Sequence, residues 1–177
     1  DGYEPGSTFK LITLASALDS GAVTLNDSFY CGGQEKVTGR EQILNCWKSA
    51  GHGAQTTAQA LGNSCNIAFG HIGLRMGGDT FYDYLKSFGV MEKTGVDLPG
   101  EASGLFYERK YLNDPANYGT SYLITSSFGQ SFRITPMQLV RAVAAIVNGG
   151  YVLEPYIVSE VVDADGNPVK ATQTASV

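Results

Sequence analysis

Each run of helical periodicity in this chain stops at glycine. Phe9, Leu11, Leu14, Ala15 and Leu18 recur at helical spacing behind Pro5, and Gly21 follows them. Thr56 to Leu61 ends at Gly62. Ile67 to Met76 meets Gly77-Gly78, and Asp79 is placed to cap the next run, Thr80 to Phe88, which Gly89 closes. The clearest helix starts at Thr135-Pro136 and stops at Asn148-Gly149-Gly150, with Met137, Leu139, Val140, Val143, Ala144 and Val147 as its apolar face. Cut this way, the chain reads as a set of short helices, mainly helical with a minor sheet.

Strand signals are sparse. Ser28 to Cys31 and Gln42 to Trp47 read as short strands, and 90–119 as a long irregular stretch around Pro99-Gly100, Asn113-Asp114-Pro115 and Tyr118-Gly119. Tyr156 to Val162, the Asp165-Gly166 turn and Pro168-Val169 read as a hairpin. The expectation is an α+β fold: a mainly helical portion over 1–150, a β-hairpin over 151–170 and a frayed end over 171–177.

The 177 residues suffice for one domain with a core. With 43% hydrophobic and 16% charged residues, the balance is globular. Net charge −5 and no Lys/Arg run argue against nucleic-acid binding. There is no bilayer-length apolar run and no signal peptide. A motif follows almost directly on Asp1, so the chain reads as an excerpt of a longer protein. Cys31, Cys46 and Cys65 are odd in number and contain no Cys-x-x-Cys, so no metal is expected. One disulfide plus a thiol, or three thiols, both remain open.

Chemistry enters at Ser7-Thr8-Phe9-Lys10. Residues three apart share a helix face, so a serine nucleophile would meet a lysine base. That lysine must be neutral to act, which requires burial or a nearby cation. The first-turn backbone N–H of Ser7 is free to face an oxyanion. Ser-x-x-Lys alone arises roughly once by chance in a chain this long, and a Ser cap with an exposed Lys explains it as well. Ser64-Cys65-Asn66, after Gly62-Asn63, can turn a hydroxyl and an amide toward one cleft, or can merely cap the helix at Ile67.

Taken in order, the flanks say more. Tyr3-Glu4-Pro5-Gly6-Ser7-Thr8-Phe9-Lys10 resembles the nucleophile segment of class B penicillin-binding proteins, the peptidoglycan D,D-transpeptidases. Asn63-Ser64-Cys65-Asn66-Ile67-Ala68-Phe69 is similar to their second motif. Thr94 to Glu101, Phe128-Gly129-Gln130, Thr135 to Leu139 and Asn148-Gly149-Gly150 are similar to further segments. Cys65, with Cys46-Trp47 upstream, is most like the sporulation-type subgroup. The resemblance implies a truncated transpeptidase domain of the penicillin-binding-protein and serine β-lactamase type. Ser7 would be the nucleophile, Lys10 the base, Ser64 a proton relay and Asn66 a hydrogen-bonding anchor. It implies stem peptides and β-lactams as ligands, no cofactor, membrane-embedded cell-wall synthesis partners, and an extracytoplasmic site anchored by an N-terminal segment. Carboxypeptidases, β-lactamases and silent β-lactam-binding scaffolds are the rival outcomes.

Lys93-Thr94-Gly95 matches that family's third motif in letters. The family's tripeptide lies on a central strand, whereas here Pro99-Gly100 follows closely, and a proline would break such a strand. A loop is expected, with the catalytic Lys-Thr-Gly strand lying beyond 177. His71 is expected at a packed or surface position and His52 in a loop-structuring role. Cys46 and Cys65 are a candidate redox pair whose disulfide would distort the site.

Overall fold

The computed structural model describes residues 1–114 and 118–171. A 3-10 turn over Gly6–Phe9 runs directly into α1 (Lys10–Asp19). Then come β1 (Ser28–Cys31), β2 (Gln34–Glu35), β3 (Leu44–Asn45) and β4 (Gly53–Thr56). The helices α2 (Thr57–Gly62), α3 (Asn66–Met76), α4 (Gly78–Ser87), α5 (Arg109–Leu112), α6 (Gly119–Ser127) and α7 (Pro136–Val147) follow, and β5 (Glu160–Val162) with β6 (Pro168–Ala171) closes the order. The strands pair antiparallel as β1 with β4, β2 with β3, and β5 with β6. The α+β expectation, mainly helical with minor sheet, holds.

The centre is α3, which lies against α1, α4 and α6. Its Gly70 and Gly73 allow α6 to come close: a Cβ on Gly73 would sit 1.8 Å from Ser127 Oγ, and one on Gly70 would crowd Ile124. Phe9, Ile12, Ile67, Phe69, Ile72, Leu85 and Ile124 are fully buried around this contact. Phe9 meets Phe132 edge-on at 4.8 Å, and Phe132 meets Phe106 at 4.9 Å. The extended N-terminus is tied in by Tyr3 bridging Ile134 and by the Gly6 N–H bonding Gly129 O at 2.8 Å. The two backbones are so close there that a Cβ on Gly129 would lie 2.0 Å from Gly6 O.

Several local expectations are corrected. Helix α6 lies in a stretch that carries no helical signal in the sequence. Two of its hydroxyls bond back to the preceding turn, Ser127 Oγ to Leu123 O and Thr125 Oγ1 to Ser121 O, which accommodates them inside a packed helix. Asp79 is not the cap of α4; Gly77 occupies that position at φ 77°, and Asp79 instead accepts from Asn113. Gly89 does close α4, in a Schellman turn with Gly89 N–H to Lys86 O and Val90 N–H to Leu85 O. Only Leu44–Asn45 of the predicted 42–47 strand pairs, and β2 and β4 lie outside the predicted strands.

The face of α7 is also different. Its capping box, Thr135 with Gln138, is as the sequence suggests. Yet Gln138, Arg141, Ala142 and Ala145 face inward, while Val140 and Val147 are 63% and 81% exposed. Arg141 Nη2 donates to Gly89 O at 2.5 Å and Nη1 to Thr94 O at 3.3 Å, and Gln138 Nε2 donates to Glu92 O at 2.6 Å. The helix buries polar side chains because it satisfies the carbonyls of the 89–94 loop. Of the terminal hairpin only the paired core forms, organised by Asp163, whose carboxylate accepts from the N–H groups of Asp165 and Asn167. Pro115 and the stretch 172–177 of the expected frayed end lie outside the described residues.

Candidate active site

Three elements converge on one amine. The 3-10 turn carries Ser7, the first residue of α1 is Lys10, and the joint between α2 and α3 carries Ser64 and Asn66. Lys10 Nζ lies 3.1 Å from Ser7 Oγ, 3.0 Å from Ser64 Oγ, 2.8 Å from Ser64 O and 2.8 Å from Asn66 Oδ1. Its side chain is 1% exposed, and the amine sits 5.5 Å from the centre of the Phe69 ring. The four expected site residues are therefore brought together.

The joint is built tightly. The C-terminal turn of α2 is a Schellman motif: Ser64 N–H bonds Leu61 O at 2.9 Å and Cys65 N–H bonds Ala60 O at 3.0 Å. Its left-handed position, usually glycine, holds Ser64 at φ 49°. A side chain there costs roughly 1 kcal/mol, and the hydroxyl it supplies reaches Lys10. One residue on, Cys65 caps α3, its Sγ accepting from Ala68 N–H at 3.5 Å. Neither Asn63 nor Ser64 caps that helix, as the sequence had left open. Asn63 is held elsewhere, its Nδ2 on Gln55 Oε1 and its carbonyl on Trp47 Nε1. Asn66 is the first residue of α3, and its Nδ2 donates to Asn45 O at 3.4 Å, which turns its Oδ1 toward Lys10.

Burial lowers the Lys10 pKa from 10.5 to about 8, against the opposing pull of Cys46 and Cys65. Ser64 O and Asn66 Oδ1 are obligate acceptors and take two of its N–H groups. The amine also donates to Ser7 Oγ at 3.1 Å, and once it has lost a proton its lone pair can accept from that same hydroxyl. Gly6, at φ 58°, leaves open space beside Ser7, where a Cβ would meet nothing within 4 Å.

Lys93-Thr94-Gly95 does not join this group. It lies in a loop clamped by Glu101, whose carboxylate accepts from Thr94 N–H (2.7 Å), Thr94 Oγ1 (2.6 Å) and Gly95 N–H (3.1 Å). Those bonds hold the Glu101 pKa below its usual value, although burial opposes them. His71 binds Glu35 at 2.9 Å on the surface side of α3. His52 packs edge-on against Trp47.

The cysteines depart from expectation in one respect. Cys46 Sγ and Cys65 Sγ are 3.9 Å apart, and all three cysteines are thiols. Burial raises the Cys65 thiol to about 12. For Cys46, burial pushes upward, but hydrogen bonds from the N–H groups of Lys48 and Asn66 and from the Cys31 and Cys65 thiols together bring the pKa down. Cys31 and His52 complete a cluster in which ligand atoms from all four residues lie within 4.8 Å of one another. The absence of a Cys-x-x-Cys spacing therefore does not exclude a metal, because the fold assembles what the spacing does not.

Comparisons with known proteins identify the family. The model of the penicillin-binding protein transpeptidase domain matches residues 1–177. The chain belongs to the penicillin-binding protein transpeptidase family. Stage V sporulation protein D of Bacillus subtilis (strain 168) is 44% identical over 162 residues, covering 91% of this chain and 24% of that protein. The D,D-transpeptidase domain of a peptidoglycan glycosyltransferase from Eggerthella lenta superposes with a TM-score of 0.90 at 25% identity, over 100% of this chain and 44% of the other. Penicillin-binding protein A from M. tuberculosis, solved as its imipenem acyl-enzyme, gives 0.84 at 26% identity, over 100% and 40%. The transpeptidase-domain chain thus spans about a quarter of the length of that curated relative. No helix among the described residues is long and apolar enough to cross a membrane.

Proposed function

We propose that this chain carries the nucleophile and proton-transfer residues of a peptidoglycan D,D-transpeptidase. Ser7 Oγ attacks the carbonyl of the penultimate D-alanine of a stem peptide as neutral Lys10 takes its proton. The terminal D-alanine leaves with a proton passed through Lys10 and Ser64. The acyl group on Ser7 is then taken by an amine of a neighbouring stem. A β-lactam acylates the same oxygen by opening its ring. Asn66 holds the amine's orientation. No cofactor is called for. The observation that carries this reading is the buried Lys10 amine within hydrogen-bonding distance of Ser7 Oγ, Ser64 Oγ and Asn66 Oδ1.

On this reading the whole protein works outside the cytoplasm, held at the membrane beside other wall-synthesis proteins. A Lys-Thr-Gly strand from outside these residues supplies the second oxyanion donor. Residues 1–177 alone would then acylate about a hundredfold more slowly than the whole domain. The decisive test is labelling of the full protein by a fluorescent penicillin, with peptide mapping of the adduct. The adduct should map to Ser7 and vanish in Ser7→Ala; labelling that survives Ser7→Ala would overturn the assignment. Release of free D-alanine without cross-linked product would turn the reading toward a carboxypeptidase.

Cys46 and Cys65 act, in the same proposal, as a redox pair. Two thiols give up two protons and two electrons to an oxidised thiol-disulfide oxidoreductase and form one S–S bond of about 2.05 Å. Closing the 3.9 Å gap draws Cys65, which sits between Ser64 and Asn66, out of its capping position.

A further inference from the structure

Arg75, Arg109 and Lys110 each pair with a carboxylate. Arg40 has no such partner among the described residues. Its Nε donates to Gln42 O at 2.9 Å and its Nη1 to Ser121 Oγ at 3.1 Å, both neutral acceptors. The remaining N–H groups of its planar fork make no bond to a described residue. Burial lowers its pKa, so the charge is held partly out of water without a counter-charge.

The guanidinium borders a cleft of about 400 Å³ between the 40–42 loop and α6. The walls of this cleft are polar and fixed. Ser121 Oγ accepts from Arg40 and keeps its own proton for another acceptor. Tyr122 is stacked on Tyr107, with ring centres 4.2 Å apart. Tyr118 and Ser131, also on the cleft, hold left-handed backbone at φ 65° and 70°. The remaining non-glycine residue with positive φ among those described is Ser64, in the site itself. Such strain persists only where the surroundings enforce it, and it gathers at positions that hold ligands. The cleft also adjoins the segments that carry the site. Ser131 follows shortly on Gly129, whose carbonyl accepts the Gly6 N–H beside Ser7. Its own N–H is fixed on Glu4 Oε1 at 2.9 Å. Gln42 lies just before Asn45, whose carbonyl holds Asn66 Nδ2.

A planar fork of donors with a hydroxyl beside it suits a planar carboxylate, which it grips through parallel bonds. We propose that this cleft binds a carboxylate of a peptidoglycan stem peptide, with Arg40 as its counter-charge and Ser121 as a second donor. This rests on the assignment of Ser7 as the nucleophile of a transpeptidase. The carboxylate belongs either to the stem that acylates Ser7 or to the neighbouring stem that takes the acyl group, and the chemistry of its recognition is the same in both. Arg40 takes no part in bond making. It selects the peptide and orients it, with the Tyr122 ring as one wall.

The test uses the full-length protein and synthetic stem peptides in matched pairs, one with a side-chain carboxylate and one with that group converted to the amide. Release of D-alanine follows the donor, and formation of cross-linked product follows the acceptor. In one of these two arms the acid should show a KM about 10- to 100-fold below that of the amide, the range of a lost bond to a charged group. Arg40→Gln should erase that difference by raising the KM of the acid to that of the amide. Arg40→Lys, which keeps the charge and loses the fork, should restore part of it. An effect confined to D-alanine release places the carboxylate on the donor, and one confined to transfer places it on the acceptor. Equal KM for acid and amide in both arms of the unsubstituted protein would overturn the proposal. So would an Arg40→Gln that slows acid and amide alike, because Arg40 would then only brace the 40–42 loop. Penicillin labelling at Ser7 keeps the two readings apart. Without it in the unsubstituted protein the transpeptidase assignment itself falls, whereas with it a missing acid–amide difference removes the cleft alone.

Discussion

Lys10 on α1 and Arg141 on α7 are both buried cations, 1% and 5% exposed, and each donates to backbone carbonyls of a distant segment. Their surroundings then diverge. Lys10 also faces two hydroxyls and an amide oxygen, and burial brings its pKa to about 8. Arg141 faces the carbonyls of Gly89 and Thr94 and fixes a loop. A guanidinium does not give up its proton in a protein, whereas a buried ammonium does. The difference teaches that a buried charge is chemical where its partners exchange protons and structural where they only accept.

Replacing each cation should break the comparison in opposite directions. Lys10→Met should reduce acylation by β-lactam about 10²- to 10⁴-fold, the range of a lost general base, while leaving a folded protein. The pH profile sharpens this. Acylation of the unsubstituted protein should rise with pH through about 8 as Lys10 loses its proton. The folded state holds that proton less tightly than the unfolded chain, so the Lys10 contribution to stability should also rise between about pH 8 and 10.5. Stopped-flow acylation and thermal melts across this window check both. A flat acylation profile would remove Lys10 from the role of base.

Arg141→Met should do the reverse. Two buried carbonyls lose their donors, each at a cost of about 1–3 kcal/mol, so urea unfolding should show a loss of about 3 kcal/mol. Below the lowered melting point, acylation should stay within a few-fold of the unsubstituted rate. A hundredfold fall in acylation with unchanged stability would show that the 89–94 loop serves the chemistry.

Ser64→Gly separates strain from function at one atom. Glycine suits the left-handed turn at φ 49°, so the melt should rise by the equivalent of up to about 1 kcal/mol. Acylation should nevertheless fall, on the order of tenfold or more, because Lys10 loses the Ser64 hydroxyl at 3.0 Å. Equal activity would assign the proton relay elsewhere.

Much of this site was legible in the sequence because it rests on local rules. Ser7 and Lys10 are one helical turn apart, and Ser64 and Asn66 flank one residue at a helix joint. What escaped depends on long-range partners. Helix α6 shows no apolar period, and two of its hydroxyls, those of Thr125 and Ser127, are accommodated by bonds to carbonyls of the preceding turn. The inward face of α7 is polar because it serves loop carbonyls 46 and more residues upstream, as with Gln138 and Glu92. The Cys31–Cys46–His52–Cys65 cluster has no spacing signature, since its four segments meet only through the tertiary fold.

The smallest expected effect concerns Lys93. It is exposed, and the adjoining Thr94 and Gly95 are held by Glu101 rather than aimed at Lys10. In letters Lys93-Thr94-Gly95 equals a third motif, yet its partners make it a loop clamp. Lys93→Ala in the full protein should change the acylation rate less than twofold and stability within about 0.5 kcal/mol, as at other surface positions. Glu101→Gln is the companion, weakening the charge-assisted bonds to the loop and lowering the melt without altering acylation. A hundredfold loss of acylation in Lys93→Ala would place this lysine in the cleft, and the contrast between a chemical and a structural cation would then have to include a third member.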